Sequence, residues 1–275
     1  MLKRAITSIA VVLFTIAFYL LRLIEYRLFD IYPYVLAVLA SIELVKANKD
    51  EITKIQKLLV VAFTLTVFPI AVFLRIYITH YVTLYMSFAI VVSVLTTKNE
   101  EKDGLSKTVF ALFYPTIPLL SLVYINAMGR YAPFIIVTTV LSTWFSDTFA
   151  YIVGSIFKGP KLCPNLSPNK TISGSIGSLI GGILATSITY LSFLAFGFNA
   201  FYGVKTFTIV LFLIMSGILF SITTQIGDLV ESYIERRLNV KDMGSILPGH
   251  GGVLDRIDGL TFCALISFAL YSFLL

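Results

Sequence analysis

Long apolar runs separated by short polar segments dominate the pattern of this chain. Nine runs approach or exceed the ~20 residues that a helix needs to cross a ~30 Å hydrocarbon core. They cover residues 5–24, 28–45, 58–74, 77–97, 108–126, 131–157, 173–197, 206–226 and 259–275. The runs lack the alternation of barrel strands, and backbone amides in lipid must be satisfied within their own segment. The pattern therefore predicts an all-α fold, a polytopic membrane helical bundle with about nine transmembrane helices.

The composition agrees with this pattern. Hydrophobic residues make up 57% of the chain and charged residues 13%, far from the fractions of an ordinary soluble domain. The first run lies where a signal peptide would, but its apolar part is too long and no A-x-A-like site follows it, so we expect a span. The polar connectors are short, so we expect a single integral membrane domain over residues 1–275. Within it, 1–130 would hold membrane-anchoring spans and 131–275 the catalytic spans and loops.

The basic residues indicate the orientation in the membrane. With the N-terminus inside, 16 of the 21 Lys and Arg residues fall on the cytoplasmic side and 5 on the other, as the positive-inside rule requires. We therefore expect a multi-pass protein of the cell inner (cytoplasmic) membrane whose active site faces the cytoplasm. A miscounted span, for which the long sixth run is the first candidate, would change this orientation. The net charge of +6 mostly reflects the same bias, and we expect the lipid bilayer, and no nucleic acid, as a partner.

Several carboxylates lie in or beside the apolar runs. Asp147 stands near the middle of the sixth run, and Asp228 follows a polar patch at the inner end of the eighth. Intramembrane carboxylates are costly and usually pair with cations, protons or metals; at Asp147 a structural salt bridge or helix–helix hydrogen bond is the alternative. Asp255 and Asp258 are one helical turn apart and can share a divalent cation. Oxygen ligands without a His/Cys cluster favour magnesium over zinc.

Two polar connectors contain turn formers, and one of them is rich in glycine. Gly249, Gly251 and Gly252 surround His250, and glycines let backbone N–H groups approach an anion closely. A plain helix connector is the alternative. The connector 158–172 carries hydroxyls and lysines and leads into a run with small residues typical of a helix packing face. These small residues are Gly174, Gly177, Gly181 and Gly182.

Two motifs carry a resemblance to a known family. The first is Ser146-Asp147-Thr148-x-Ala150-Tyr151-x2-Gly154, followed by Leu166-Ser167-Pro168-Asn169-Lys170-Thr171. The second runs from Ser232 to Asp258 and includes Arg236-Arg237, Lys241-Asp242 and Pro248-Gly249-His250-Gly251-Gly252-x2-Asp255-Arg256-x-Asp258. Together they resemble the signature blocks of phosphatidate cytidylyltransferases, also called CDP-diacylglycerol synthases. The chain departs from that pattern at Asn169, where the family has a second lysine, and at Ile172-Ser173-Gly174, where it usually has aromatic-Glu-Gly; Ser173 is therefore assigned no role.

The resemblance implies a nucleotidyltransferase for phospholipid biosynthesis that converts CTP and phosphatidic acid to CDP-diacylglycerol and pyrophosphate. It implies Mg²⁺ as cofactor, as one ion or two, held by Asp147, Asp228, Asp255 and Asp258. The implied catalytic residues are Asp228, Asp255, Lys170 and Arg256. The implied substrate-binding residues are Ser167, Lys170, Thr171, Arg236, Arg237, Lys241, Gly249, His250, Gly251 and Gly252. For Arg256 the alternative is that it only neutralises the neighbouring aspartates.

Two other functions remain open at the level of sequence. A CTP-dependent polyprenol or phytol kinase would have similar spans and carboxylates but an alcohol as acceptor. An ion-coupled membrane transporter would also use Asp147 and the polar residues at 223–225, which are typical of midplane ion sites. The long C-terminal motif favours the cytidylyltransferase. Acyl-chain preference and oligomeric state, including a homo-oligomer, are not determined by the sequence.

Overall fold

The computed structural model describes residues 2–48, 51–96, 104–249 and 251–274, with side chains described from Thr7 onward. Its helices are α1 Leu2–Leu21, α2 Ile31–Ala47, α3 Lys54–Phe73, α4 Ile78–Thr96, α5 Gly104–Phe113, α6 Thr116–Asn126, α7 Ala132–Phe157, α8 Ile172–Ala195, α9 Thr206–Arg237 and α10 Leu254–Leu274. A small antiparallel hairpin, β1 Lys161–Cys163 and β2 Ser167–Thr171, links α7 to α8. The predicted all-α, polytopic class is confirmed.

Eight helical segments in the described part of the chain are long and apolar enough to cross a membrane. They are Tyr26–Ala47, Lys54–Phe73, Arg75–Thr96, Gly104–Asn126, Gly129–Phe157, Ile172–Ala195, Thr206–Arg237 and Leu254–Leu274. Each coincides with one of the predicted runs from the second to the ninth, so the chain is a multi-pass membrane protein. The first run forms α1, in which Thr7–Leu21 is a shorter apolar helix, and its crossing of the membrane stays a prediction.

Two helix ends differ from the ends of the apolar runs. Helix α9 continues beyond residue 226 to Arg237, because hydropathy marks only the apolar part while Glu, Leu and Arg residues sustain the helix. Helix α10 begins at Leu254, so Asp255 and Asp258 lie inside the helix and not ahead of it. The polar residues of its first turns lower the local hydropathy and hide its start.

The chain forms two compact units. Unit 1 comprises Met1–Asn126 with Leu238–Arg256, and unit 2 comprises Ala127–Arg237 with Ile257–Leu275. In unit 1, α2 packs on α3 and α6, whereas in unit 2 α8 packs on α7 and α9. Part of the C-terminal motif therefore folds with the N-terminal spans. The predicted functional division at residue 130 stays a prediction.

Small residues let the helices of unit 2 approach closely. A Cβ atom at Gly181 would lie 2.5 Å from the carbonyl oxygen of Phe145 in α7, and one at Gly182 would clash with the carbonyl of Gly217 in α9. Neither glycine could carry a side chain unless a backbone moved. The glycines of α8 are therefore a helix packing face, as predicted.

Candidate active site

Four carboxylates of unit 2 converge from three helices. Asp147 lies on α7, Asp228 and Glu231 lie on α9, and Asp258 lies on α10. The buried carboxyl of Asp258 shares a hydrogen bond with Asp228, and the charges of Glu231 and Asp147 also act on it. We call these four residues the carboxylate cluster. Unit 2 thus brings together three of the four predicted metal ligands, and it adds Glu231.

Close helix packing places two of these carboxylates side by side. Gly227 precedes Asp228, and Gly259 follows Asp258. A Cβ atom at Gly227 would lie 2.8 Å from the carbonyl carbon of Asp258 and 2.9 Å from the Cα atom of Gly259. A Cβ atom at Gly259 would in turn lie 2.7 Å from the methyl carbon of Thr224. Helices α9 and α10 therefore cross with their backbones in contact, directly beside the two carboxylates.

The carboxylate cluster concentrates negative charge. The Nζ of Lys170 lies 2.6 Å from Oδ2 of Asp228, and both side chains are about a quarter exposed. Several acidic side chains in one place favour a bound cation. The buried hydroxyl of Ser146, which precedes Asp147 on α7, has no hydrogen-bond partner within the described ranges. Oxygen donors of this kind fit Mg²⁺.

The β1–β2 hairpin carries Lys170 to the carboxylate cluster. Its two strands pair antiparallel, and Nε of Arg236, at the end of α9, donates a hydrogen bond to the carbonyl of Leu166 in the turn. Lys170 follows on β2 and is held by its ion pair with Asp228. The hairpin was not predicted, because strands of three and five residues leave no periodic pattern in the sequence.

Thr171 ends the hairpin and caps helix α8. Its Oγ1 accepts a hydrogen bond from the backbone N–H of Gly174 at 3.1 Å. The hydroxyl of Ser173 donates to the carbonyl of Lys158, which fixes the return of the connector. Thr171 and Arg236 thus both have structural contacts, and their predicted binding of substrate, like that of the half-buried Ser167 on β2, stays a prediction.

In unit 1, the segment between α9 and α10 folds around Asp255. Oδ1 of Asp255 accepts a hydrogen bond from the N–H of Met243 at 2.9 Å, and Oδ2 accepts one from the N–H of Gly252 at 2.8 Å. We call residues 242–253, which end where α10 begins, the signature loop. Asp255 therefore organises this loop, and its predicted binding of a metal would use the remaining lone pairs of the same carboxylate.

The glycine turn of the signature loop has an unusual backbone. Gly249 and Gly251 have φ angles of +80° and +85°, which residues with a side chain rarely adopt. His250 between them lies outside the described residues. The N–H of Gly252 is bonded to Asp255, and the predicted anion-binding role of this turn stays a prediction.

Four exposed basic residues belong to the C-terminal motif. Arg236 and Arg237 form the last turn of α9 in unit 2, whereas Lys241 and Arg256 belong to unit 1. Cations are favoured at the C-terminal end of a helix, which gives the two arginines of α9 a structural reason as well. The predicted phosphate contacts of all four residues stay predictions.

One buried carboxylate that contacts the signature loop was not predicted from the sequence. Glu43 of α2 is 3% exposed, and its Oε2 accepts a hydrogen bond from the N–H of Leu254 at 2.9 Å. Its carboxylate also fills the space beside Gly244 and Gly252. The available signal was a single glutamate inside the second apolar run, since a carboxylate in such a place is a functional candidate by default.

The chain is similar to known proteins. Residues 2–274 match the model of the cytidylyltransferase family. Similar curated proteins, each named phosphatidate cytidylyltransferase, come from Brucella abortus (37% identity over 171 residues), Staphylococcus haemolyticus (40% over 165) and Rickettsia conorii (40% over 132). These alignments cover 61%, 58% and 48% of this chain and 57%, 59% and 55% of the respective relatives. The matched part of the chain thus spans little more than half the length of these relatives.

Proposed function

The chain belongs to the cytidylyltransferase family, and on that premise we propose that it is a phosphatidate cytidylyltransferase, which converts CTP and phosphatidic acid to CDP-diacylglycerol and pyrophosphate. The observation that carries the proposal is the carboxylate cluster with Lys170 beside it, inside a multi-pass membrane protein. A nucleoside triphosphate requires bound cations, and a lipid acceptor requires a site that it can enter from the bilayer. The names of the curated relatives support the same reaction.

The reaction needs charge neutralisation more than covalent help from the protein. A phosphate oxygen of phosphatidic acid attacks the α-phosphorus of CTP, the bond from that phosphorus to the β-phosphate oxygen breaks, and pyrophosphate leaves. Phosphatidic acid is already ionised at neutral pH, so a general base is not required. Both substrates are polyanions, and positioned cations therefore supply most of the stabilisation of the transition state.

The residues of the carboxylate cluster divide this work with Lys170. Asp147, Asp228 and Asp258 would hold Mg²⁺, and the metal binding predicted for Asp255 of unit 1 stays a prediction. When bound, Mg²⁺ supplies neutralisation of the triphosphate charge. The ammonium group of Lys170 has three donors, so it can keep its bond to Asp228 while it donates to a phosphate oxygen. Lys170 would thus supply a cation of the protein itself at the edge of the site.

We also propose that the site opens to the cytoplasm and to the inner leaflet. The support is the partition of 16 of the 21 basic residues to one side. Phosphatidic acid must enter laterally, because its acyl chains lose ~0.8 kcal/mol for every CH₂ that leaves the lipid. Sealed inside-out vesicles should consume externally added CTP, and right-side-out vesicles should not. The opposite pattern would overturn the orientation.

The experiment that tests the activity measures products from CTP with the purified protein in detergent and Mg²⁺. We expect pyrophosphate and CDP-diacylglycerol only when phosphatidic acid is added. CDP and a phosphorylated alcohol, formed when polyprenol or phytol is added, would instead establish the kinase. CTP left intact with every acceptor, together with ion-driven uptake in proteoliposomes, would establish the transporter. The Asp228→Asn variant is the control for contaminating activities.

A further inference from the structure

Helix α10 receives its N-terminal cap from a distant part of unit 1. The first N–H groups of a helix have no partner within the helix, and the apolar side chain of Val253, which precedes α10, cannot accept a hydrogen bond. Oε2 of Glu43 accepts from the N–H of Leu254 at 2.9 Å across a separation of 211 residues. A carboxylate is also the group that the positive end of the helix dipole favours.

The signature loop closes around the same carboxylate. A Cβ atom at Gly244 would lie 2.5 Å from Cδ of Glu43, and one at Gly252 would lie 2.5 Å from Oε2 and 2.7 Å from Cδ. The two glycines come from the two arms of the loop, so neither arm has room for a side chain at this point. Glu43 is only 3% exposed, and the contact therefore excludes water.

The backbone groups that surround Glu43 adjoin those that hold Asp255. The N–H donors to Asp255 are Met243, next to Gly244, and Gly252 itself. Leu254, which Glu43 caps, directly precedes Asp255. A displacement of the Glu43 carboxylate would therefore move both donors of Asp255 and the helical turn on which Asp255 lies.

We propose that Glu43 is a positioning residue. It caps α10 and packs against both arms of the signature loop, contacts that we call the clasp, and it thereby fixes the carboxylate of Asp255 for the reaction. The kinetic consequence rests on the proposed function, whereas the consequence for the loop does not. Oε1 of Glu43 is buried and makes no hydrogen bond within the described ranges. A glutamine at this position would keep one oxygen as an acceptor for the N–H groups of Leu254 and Val253, which both bond to this carboxylate.

The test combines hydrogen–deuterium exchange with kinetics on the full-length protein. Glu43→Ala should raise amide exchange in the signature loop at least about tenfold and lower kcat at least about tenfold, because a misplacement of ~1 Å can cost ~10²-fold. It should also raise the Mg²⁺ concentration for half-maximal rate, which a general loss of folded protein would not do. Glu43→Gln should restore loop exchange and kcat to within about threefold of the unchanged protein.

Two matched controls come from unit 1. Ser41→Ala removes a buried hydroxyl of the same helix that donates to the carbonyl of Val38 at 3.0 Å. Glu51→Gln neutralises a carboxylate that pairs with Lys107 at 2.7 Å. Both variants should leave loop exchange and the Mg²⁺ dependence unchanged. If either moved them as Glu43→Ala does, the effect would not be specific to the clasp and the proposal would fail.

Other outcomes also decide the proposal. Unchanged loop exchange in Glu43→Ala would overturn it, and so would a Glu43→Gln variant with an ordered loop but the low kcat of Glu43→Ala. Glu43→Ala could unfold unit 1, which would be seen as faster amide exchange throughout α3 and α4. In that case the Gly244→Ala variant decides. Its Cβ atom would displace the Glu43 carboxylate, and it should raise amide exchange in the signature loop alone. An unchanged protein that makes no CDP-diacylglycerol would refute the proposed function, while loop exchange would still test the clasp.

Discussion

The carboxylate cluster and the signature loop are assembled by different physical means. In the carboxylate cluster, α9 and α10 touch through bare backbone at Gly227 and Gly259, so rigid helices place the charges by steric contact. In the signature loop, Asp255 is held by backbone N–H groups, and Glu43 supplies the polar anchor from another span. Side chains on packed helices need only close packing, whereas a loop needs hydrogen bonds from elsewhere to hold one shape.

The largest expected effect comes from removing one carboxylate charge in the carboxylate cluster or at Asp255, which organises the signature loop. Asp228→Asn and Asp255→Asn should each lower kcat at least about 10³-fold, the scale on which single groups that stabilise a transition state act. Both variants should remain folded and extractable in detergent. Pyrophosphate release at saturating Mg²⁺ is the measurement. Near wild-type rates for both would remove these residues from the site.

The basic residues should come next in size of effect. Lys170→Ala and Arg256→Ala should each lower kcat by about 10²-fold rather than only raise the KM for CTP, if both act in the transition state. Arg256→Lys should remain impaired, because lysine lacks the planar fork that binds phosphate in a bidentate manner.

A melting curve in detergent separates the two roles considered for Arg256. If it only neutralises the neighbouring aspartates, Arg256→Ala should lower the melting temperature together with the activity. Unchanged kinetics in both alanine variants would exclude Lys170 and Arg256 from the site.

The packing of the carboxylate cluster can be broken without touching a charge. Gly227→Ala places a Cβ atom against the backbone of Asp258, and such overpacking typically costs about 1–3 kcal/mol. We expect a lower melting temperature and a kcat reduced about tenfold, as the carboxylates of α9 and α10 move apart. Ile226→Ala, which truncates an exposed side chain on the adjacent position, should change neither. If Gly227→Ala behaves like this control, steric contact does not set the cluster.

The sequence predicted the two regions to different extents. Asp147, Asp228 and Asp258 could be predicted together as metal ligands, because carboxylates in apolar runs are rare and the motifs fix their spacing. Glu43 could not be connected with Leu254, because a hydrogen bond across 211 residues depends on tertiary packing that no local pattern encodes. The hairpin and the true start of α10 have local signals, but these were also missed. The strands of the hairpin are too short to leave a periodic pattern, and the first turns of α10 are too polar to be marked by hydropathy.

The smallest expected effect tests the hairpin that serves the carboxylate cluster. The hydroxyl of Thr171 caps α8 through Gly174 at 3.1 Å, and it lies so close to Gly154 of α7 that a Cβ there would be 2.9 Å from it. Thr171→Ala should therefore cost about 1 kcal/mol, the usual loss for an N-cap, and lower the melting temperature by a few degrees. Thr171→Ser keeps the hydroxyl and should keep the melting temperature. If Thr171→Ala instead leaves melting unchanged and raises the KM for CTP about tenfold, the hydroxyl binds substrate and other contacts, among them the ion pair of Lys170 and the bond from Arg236, hold the hairpin.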